Sequence, residues 1–393
     1  MVLLFFLIIS EIFTPVVLRQ HFYKSARVKY FILILIHVIL SMWIWILYFE
    51  IISFKSFFDS SRNIWMYMNM AGMIVAVLFP RILLIIMHFT GVMVKRKEGT
   101  HIGWLTTTGL FITMLIFSIT ALSTFIGRFN FKTEHVVINV NGLHKDLEGL
   151  RIVQISDLHL SCFHHHRYIL KKVMDQINGY EPDIIVNTGD FVTIGWREYS
   201  GFDTILSTAV SKYGNFAIMG NHDAGTYHPD YTESDLANNV LNMNMLVRRS
   251  GYTVLNDEFT KVQIGNAKLA MIGVMTAGRH PNIVHGDINK AISGLDSVDL
   301  KILLTHDPNQ WKEEIAGKTD IEITFSGHTH GMQMGIMTKR FKWSPAKYFY
   351  PHWQGLFIEG QQQHYVNRGL GVLAIPFRIW MPPEITVITL KGN

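Results

Sequence analysis

The sequence predicts an α/β domain over residues 134–393, carried behind an all-α transmembrane region of about four helices over residues 1–127. Three observations carry that prediction: an uneven distribution of charge, a change from long apolar runs to short β-branched ones, and polar motifs at the ends of the latter. The chain of 393 residues is 49% hydrophobic and only 17% charged, whereas soluble domains average roughly 25% charged. Residues 1–127 hold 10 Lys+Arg and 4 Asp+Glu, and residues 128–393 hold 25 and 26, so the net charge of +5 belongs to the apolar end. The basic balance therefore bears on membrane orientation. A nucleic-acid surface, which needs its cations clustered on the polar domain, is excluded. One cysteine, Cys162, excludes an internal disulfide framework and an all-cysteine zinc site, and leaves the redox compartment open.

Four apolar stretches, about residues 2–18, 30–49, 64–90 and 102–127, stand against the roughly 20 residues a helix needs to cross a hydrocarbon core. The second and fourth contain no Asp, Glu, Lys or Arg, and in lipid only a helix satisfies their backbone. The first is short and carries Glu11 and Pro15, so a signal peptide is the rival reading. No basic residue precedes its apolar run and no small-residue cleavage site follows it, and an uncleaved helix is preferred. In the third, Pro80 is expected to introduce a kink. Arg81 must snorkel, face a partner helix or touch a lipid phosphate, and snorkelling is the expectation.

Orientation follows from the loop cations. Arg19, Lys24, Arg27 and Lys29 lie in the first loop and Lys95, Arg96 and Lys97 in the third, while in the second Lys55 and Arg62 nearly balance Glu50 and Asp59. Short loops rich in Lys and Arg stay in the cytoplasm. The expectation is a multi-pass protein of the cell membrane with everything after residue 127 on the extracytoplasmic side, an answer that the loss of one helix would invert.

From about residue 134, short β-branched runs alternate with helical stretches. Candidate strands are Arg151–Ile155, Asp183–Asn187, Asn215–Met219, Lys301–Thr305, Ile321–Phe325 and Ile385–Leu390, with helix-like segments near 166–178, 199–212 and 233–247. The first five strands run in order into Asp157-Leu-His159, Gly189-Asp190, Gly220-Asn221-His222-Asp223, His306-Asp-Pro and Gly327-His328-Thr-His330-Gly331. Such carboxyl ends are where open α/β sheets place their ligand crevice. Asp, Asn and His without thiolate suit manganese, iron or zinc in a reactive site. Alternate residues along a strand extension share a direction, so Asp157 with His159, and His328 with His330, each offer two groups to one cavity. Seven donors exceed one ion's needs; two divalent ions about 3.5–4 Å apart with one bridging carboxylate would use them all. Singly, these motifs are weak, since a Gly-Asp after a strand is often only a turn. The ordered set of five is what resists a purely structural explanation. His164-His165-His166 is read as a solvated loop beside the site.

At these residues the sequence resembles the calcineurin-like metallophosphoesterase superfamily, with its pattern D-x-H, G-D, G-N-H-[DE], H and G-H-x-H, over roughly residues 149–390. The stretches Tyr365-Val-Asn-Arg368-Gly-Leu-Gly371 and Pro382-Pro-Glu-Ile-Thr look like its bacterial membrane-associated branch, which also resembles UDP-2,3-diacylglucosamine hydrolases. The resemblance implies a four-layer α/β sandwich. It implies one metal on Asp157, His159, Asp190 and His330, and a second on Asp190, Asn221, His306 and His328, with manganese favoured. Thr193 stands where purple acid phosphatases have a ligating tyrosine, which argues against a tyrosinate–iron(III) centre.

The expected activity is that of a membrane-anchored phosphohydrolase in which a metal-activated hydroxide attacks a phosphoester or pyrophosphate. His222 would stabilise the transition state or protonate the leaving oxygen, with Asp223 orienting its imidazole. Arg368 and Arg378 are candidate phosphate clamps or, equally, surface ion pairs. Residues 341–357 hold seven aromatics and follow Lys339 and Arg340. Two readings of them stand level: a bilayer interface or lipid acyl chains on one side, packing of the sandwich on the other. The expected partners are membrane lipid and a phosphorylated small-molecule or lipid-linked substrate. UDP-diacylglucosamine chemistry, a cytoplasmic-leaflet reaction, pulls against the orientation read from the loops. The alternative is a non-catalytic receptor or scaffold, which the full set of donors disfavours because scaffolds lose ligands.

Overall fold

Long apolar runs give helices and short β-branched runs give strands, in the order expected. A computed structural model of the protein describes residues 2–53, 57–98, 103–279, 282–338 and 340–393. Lys55, Lys339 and the side chains of Lys95, Arg96 and Lys97 lie outside it. Two compact units result: Met1–Lys55, Met66–Ile126 and Ala374–Phe377 form one, and Ser56–Trp65, Gly127–Leu373 and Arg378–Asn393 the other.

The helical unit consists of α1 (Val2–Phe22), α2 (Arg27–Ser53), α3 (Ser61–Met73), α4 (Phe79–Glu98) and α5 (Gly103–Phe125). Because α3 runs into α4 without a break, the described residues contain four spans long and apolar enough to cross a membrane. The junction is a π-turn at Ile74–Leu78. Proline removes a backbone donor and its ring presses on the preceding turn, and the wider π-turn ahead of Pro80 absorbs both effects. Thr113 Oγ1 donates to the Pro80 carbonyl at 3.2 Å. The snorkelling expected of Arg81 does not occur. Its guanidinium is buried, donates to Ser41 Oγ at 3.0 Å and the His37 carbonyl at 3.1 Å, and lies 3.7 Å from the Glu11 carboxylate. Polar groups on α1 and α2 solvate the charge inside the bundle, so it has no need to reach the interface.

The second unit is built on two mixed six-stranded sheets. The first has the order β1-β16-β2-β3-β4-β5, from β1 (Lys132–Val140), β2 (Arg151–Ile155), β3 (Ile184–Asn187), β4 (Asn215–Ala217), β5 (Tyr252–Val254) and β16 (Glu384–Gly392). The second has the order β14-β15-β11-β10-β7-β6, from β6 (Glu258–Ile264), β7 (Ala267–Gly273), β10 (Leu300–Leu304), β11 (Ile323–Ser326), β14 (Gly355–Glu359) and β15 (Gln362–Val366). Two ribbons stand apart, β8 (Thr276–Arg279) with β9 (Asn282–His285), and β12 (Ile336–Met337) with β13 (Lys342–Trp343). Each of the six candidate strands falls on a real one, and all but Arg151–Ile155 differ by one or two residues at one or both ends.

Side-chain alternation sets the layers. Leu300, Ile302 and Leu304 of β10, with Leu269 and Met271 of β7, face Ile152, Ile184, Val186 and Phe216 of the first sheet in one core. The residues between them, Leu303, Ala270 and Ile272, pack outward beneath Ile288, Trp311 and Ile315. On the far side, α6 (Arg167–Asn178) buries Leu170, Val173, Met174 and Ile177, and α7 (Glu233–Arg249) starts from a Thr232 capping box. The result is helix, sheet, sheet, helix, the expected four-layer sandwich. Near 199–212 only the short helix Asp203–Leu206 forms, since Gly201 at φ 78° breaks the run.

The C-terminal segment is locked in by ions. Buried Arg368 pairs with Glu384 at 3.0 Å and with Glu134 at 2.8 Å, and Tyr365 Oη donates to Glu384 at 2.6 Å. Removing one partner of such a pair strands the other charge in the interior. Glu384→Ala should therefore cost about 3–5 kcal/mol, seen as a lowered unfolding midpoint of the detergent-purified full chain. An unchanged midpoint would contradict this account.

Candidate metal centre

Five loops meet where the carboxyl ends of β2, β3 and β4 of one sheet approach those of β10 and β11 of the other. The loops continue the ladder beyond the strands: Asp157 N–H donates to the Gly189 carbonyl, His159 N–H to the Asp190 carbonyl and Gly327 N–H to the His306 carbonyl. Asp157 and His159 do share a cavity, though not through strand alternation. Asp157, His159, Asp190, His328 and His330 all adopt left-handed backbone, with φ of 51°, 42°, 56°, 70° and 49°. A non-glycine residue there costs roughly 1–3 kcal/mol, a strain that clusters at functional sites. Glycine is required where the backbone passes a carboxylate. A Cβ on Gly220 would lie 2.2 Å from Asp190 Oδ1, and one on Gly327 would lie 2.4 Å from Asp157 Oδ2.

The side chains converge in two groups. In one, ligating atoms of Asp157, His159 and His330 lie within 4.8 Å of one another; in the other, those of Asp190, His306 and His328 do. Asp190 Oδ2 stands between the groups, 3.1 Å from His306 Nε2 and 3.8 Å from His159 Nε2. His159 Nε2 and His330 Nε2 face each other at 3.1 Å, and His330 Nε2 is 3.3 Å from Asp157 Oδ1. Asn221 donates from Nδ2 to Tyr227 Oη at 3.0 Å, while its Oδ1 is buried without a hydrogen-bonded partner in the protein. An orphaned buried acceptor, facing imidazole nitrogens and paired carboxylates are what a divalent cation would satisfy, so the donor set fits such ions.

Electrostatics agrees. Burial opposes ionisation of Asp157 and Asp190, but the surrounding imidazoles, His330 foremost for the first and His306 for the second, hold both below the usual carboxylate range. Burial and neighbouring His306 push His328 down to about 4, and burial with His330 depresses His159. His306 is the exception: burial lowers it, yet the Asp190 and Asp157 carboxylates outweigh burial and hold it up at about 10. A metal needs ionised carboxylates and neutral imidazoles, so a cation bound here would displace the proton that the two carboxylates hold on His306.

His222 adjoins both groups. Its backbone N–H donates to Asp190 Oδ1 at 2.9 Å and its ring lies 5.2 Å from that of His159. Asp223 is not its orienting partner, contrary to expectation. His222 Nδ1 lies 2.6 Å from the Thr193 carbonyl, and the ring stacks on Tyr227 at 4.0 Å. The Asp223 oxygens accept from the N–H groups of Val192 and Gly220, tying the two loops together. Burial and the Asp190 carboxylate push Asp223 up to about 8. The arginines also differ from expectation. Arg368 is committed to its carboxylates, and Arg378 is buried and donates to the carbonyls of Arg368, Gly369 and Gly371 with Nη2 3.2 Å from His330 Nδ1. Neither is a surface ion pair or a free clamp. His164 and His165 contact Ser61 and Trp65, and His166 contacts Phe129, so the triplet is a packing surface.

Sequence reasoning missed Tyr227 and Tyr350. Tyr350 Oη lies 2.9 Å from His328 Nε2. Tyr227 follows His222 closely in one loop, a proximity that could have flagged it. Tyr350 arrives from the aromatic stretch, where no motif marks it.

A family model described as calcineurin-like phosphoesterase matches residues 150–332. The uncharacterized metallophosphoesterase YkuE of Bacillus subtilis is 31% identical over 267 residues, 66% of this chain and 85% of that protein. The transmembrane protein with metallophosphoesterase domain of Danio rerio is 30% identical over 292 residues, 71% of this chain and 62% of that one, so less than two thirds of it is spanned. The UDP-2,3-diacylglucosamine pyrophosphatase LpxG of Chlamydia muridarum is 29% identical over 283 residues, 62% of this chain and 84% of that protein.

Because Asp190 Oδ2 stands between the two groups, replacing it with alanine should release most bound divalent metal and abolish any metal-dependent activity. Elemental analysis that still finds two metals per chain in Asp190→Ala would refute this placement.

Proposed function

The chain belongs to the calcineurin-like phosphoesterase family of hydrolases, and on that premise we propose that it is a membrane-anchored, dinuclear phosphohydrolase acting on a phosphoester or pyrophosphate of a lipid-linked substrate. The observation that carries the reading is the convergence of Asp157, His159 and His330 with Asp190, His306 and His328 around one shared carboxylate. Asp157, His159, Asp190 and His330 would hold one cation, and Asp190, Asn221, His306 and His328 the other. Bound manganese, iron or zinc supplies a water of lowered pKa and offsets charge on the phosphoryl oxygens.

The chain's own groups do the rest. Asp190 would serve both cations, and its Oδ1 accepts the His222 backbone N–H and fixes it. Thr193 and Tyr227 hold the His222 ring, leaving Nε2 for the substrate, where it stabilises the developing charge or carries a proton to the leaving oxygen. Asp223 acts indirectly by fixing the Gly220 and Val192 backbone. Lipid linkage is supported by the membrane-spanning helices and by a relative named for UDP-2,3-diacylglucosamine.

His222→Ala should retain metal while turnover falls about 10²–10⁴-fold, assayed with detergent-purified protein on phospholipids, nucleotide-sugar lipids and aryl phosphates. Loss of metal in that variant would make His222 a ligand instead.

The catalytic unit lies on the extracytoplasmic side in this reading. Four cations in the first loop and three in the third support it. The 2.9 Å pair of Asp59, from the second loop, with Arg197 fits the helix count on which that reading depends, because four crossings put the second loop and the domain on one side. Protease added to cells with the outer barrier opened should digest residues 134–393. Digestion only after lysis of the inner membrane would reverse the topology and favour a cytoplasmic lipid precursor as substrate.

A further inference from the structure

A surface β-ribbon ordinarily turns polar side chains to water, and the ribbon β12–β13 turns Ile336 outward beside Lys342. Ile336 pairs across to Trp343, and Met334 bridges to Ile379. Along this edge Met334 and Ile336 are exposed while Gln333 and Gly335 are buried. Phe341 in the turn, Tyr348 at the end of the following helical turn and Trp380 beside the bridge are 55%, 70% and 70% exposed. Exposed Arg340, Lys342 and Lys347 are interleaved with them, and no Asp or Glu occurs between Glu322 and Glu359.

The inner side of the same segment is rooted at the metal centre. Ser344 Oγ donates to the Gly331 carbonyl at 2.6 Å, Thr329 Oγ1 to the Trp353 carbonyl at 2.7 Å, and Tyr350 Oη meets His328. Ala346, Tyr350, Trp353 and Met381 close a small buried cluster beneath it. The aromatic stretch is thus divided: one side packs the fold and the other is bare, apolar and cationic.

We propose that this bare face is a membrane-docking surface whose occupant is the anionic headgroup and upper acyl region of the bilayer. Aromatic and aliphatic side chains with interleaved Lys and Arg match that environment in both polarity and charge. Residues 126–131 join α5 to β1, a reach of roughly 20 Å at most. Docking places loop 328–331 and its metal ligands at the lipid surface, a consequence that rests on the hydrolase reading.

Cys162 is the only cysteine and is buried, so a nitroxide can be placed selectively on Tyr348→Cys in the full chain, with Ser207→Cys as the comparison. In phosphatidylglycerol nanodiscs the label at 348 should be relaxed more by oxygen than by an aqueous nickel chelate, and the label at 207 the reverse. An aqueous pattern at 348 overturns the docking surface. In the activity arm, Phe341→Glu with Tyr348→Glu should lower turnover of a vesicle-borne lipid phosphate about tenfold while sparing a soluble aryl phosphate. Equal effects on both substrates, or none, overturn the coupling to the site. Wild-type protein that hydrolyses neither would strike the hydrolase reading and leave the label to decide the docking.

Discussion

Two ionised carboxylates, Asp157 and Asp190, lie at 0% and 1% exposure among four imidazoles. Burying a charge costs several kcal/mol even after the protein relaxes, so the surroundings must return hydration in another form. The His328 N–H donates to the Asp157 carboxylate and the His222 N–H to Asp190, and the imidazoles supply the remaining partners. The left-handed residues follow from the same need, because an extended chain leaving a strand cannot turn both its amide and its side chain toward one point. Glycines 220 and 327 follow too, as the only residues that let the neighbouring loop approach so closely. The centre is strained and charged because it concentrates ligating atoms, and the surrounding sandwich supplies the stability that tolerates it.

The closing of the C-terminal segment over this centre depends on arginine rather than on apolar packing alone. Leu370 and Gly371 donate to the carbonyls of Ser156 and Asp157, laying the chain along the back of the first ligand loop. Arg378 gathers three carbonyls of that turn while standing next to His330. Burial and the nearby Arg368 guanidinium press it down to about 9, so Arg378 is a cation paired mostly with backbone dipoles. Its planar fork can serve several carbonyls at once, which a lysine cannot.

A similar economy of charge operates among the apolar helices. Glu11 lies 3.2 Å from His37 and 3.7 Å from Arg81, joining three helices through ionisable groups. Hydrocarbon offers such groups no hydration, and facing one another is the arrangement with the smallest penalty. Helices as uniformly apolar as α2 and α5 gain little from the hydrophobic effect inside a bilayer, so polar contacts of this kind help to fix which faces meet.

Residue chemistry and local spacing were enough to read the membrane helices, the four-layer class, the positions of the strands that carry motifs, and the donor types at their ends. Those features are legible because each is set within a few residues: an apolar run long enough for a membrane, a β-branched run, a glycine before a carboxylate. Other features depend on chain separated by many residues, and the sequence has no local mark for them. That β2, β3 and β4 lie in one sheet and β10 and β11 in the other is decided by packing of the shared core. Asp223 beside His222 looked like its orienting partner, yet the carbonyl of Thr193, delivered from another strand end, holds that position. Arg81 looked destined for the interface until α1 and α2 brought it Glu11 and Ser41. Adjacency in sequence states which groups are available. Which of them meet is decided by the global minimum of buried charge and unfilled volume, and that exists only once the whole chain has closed.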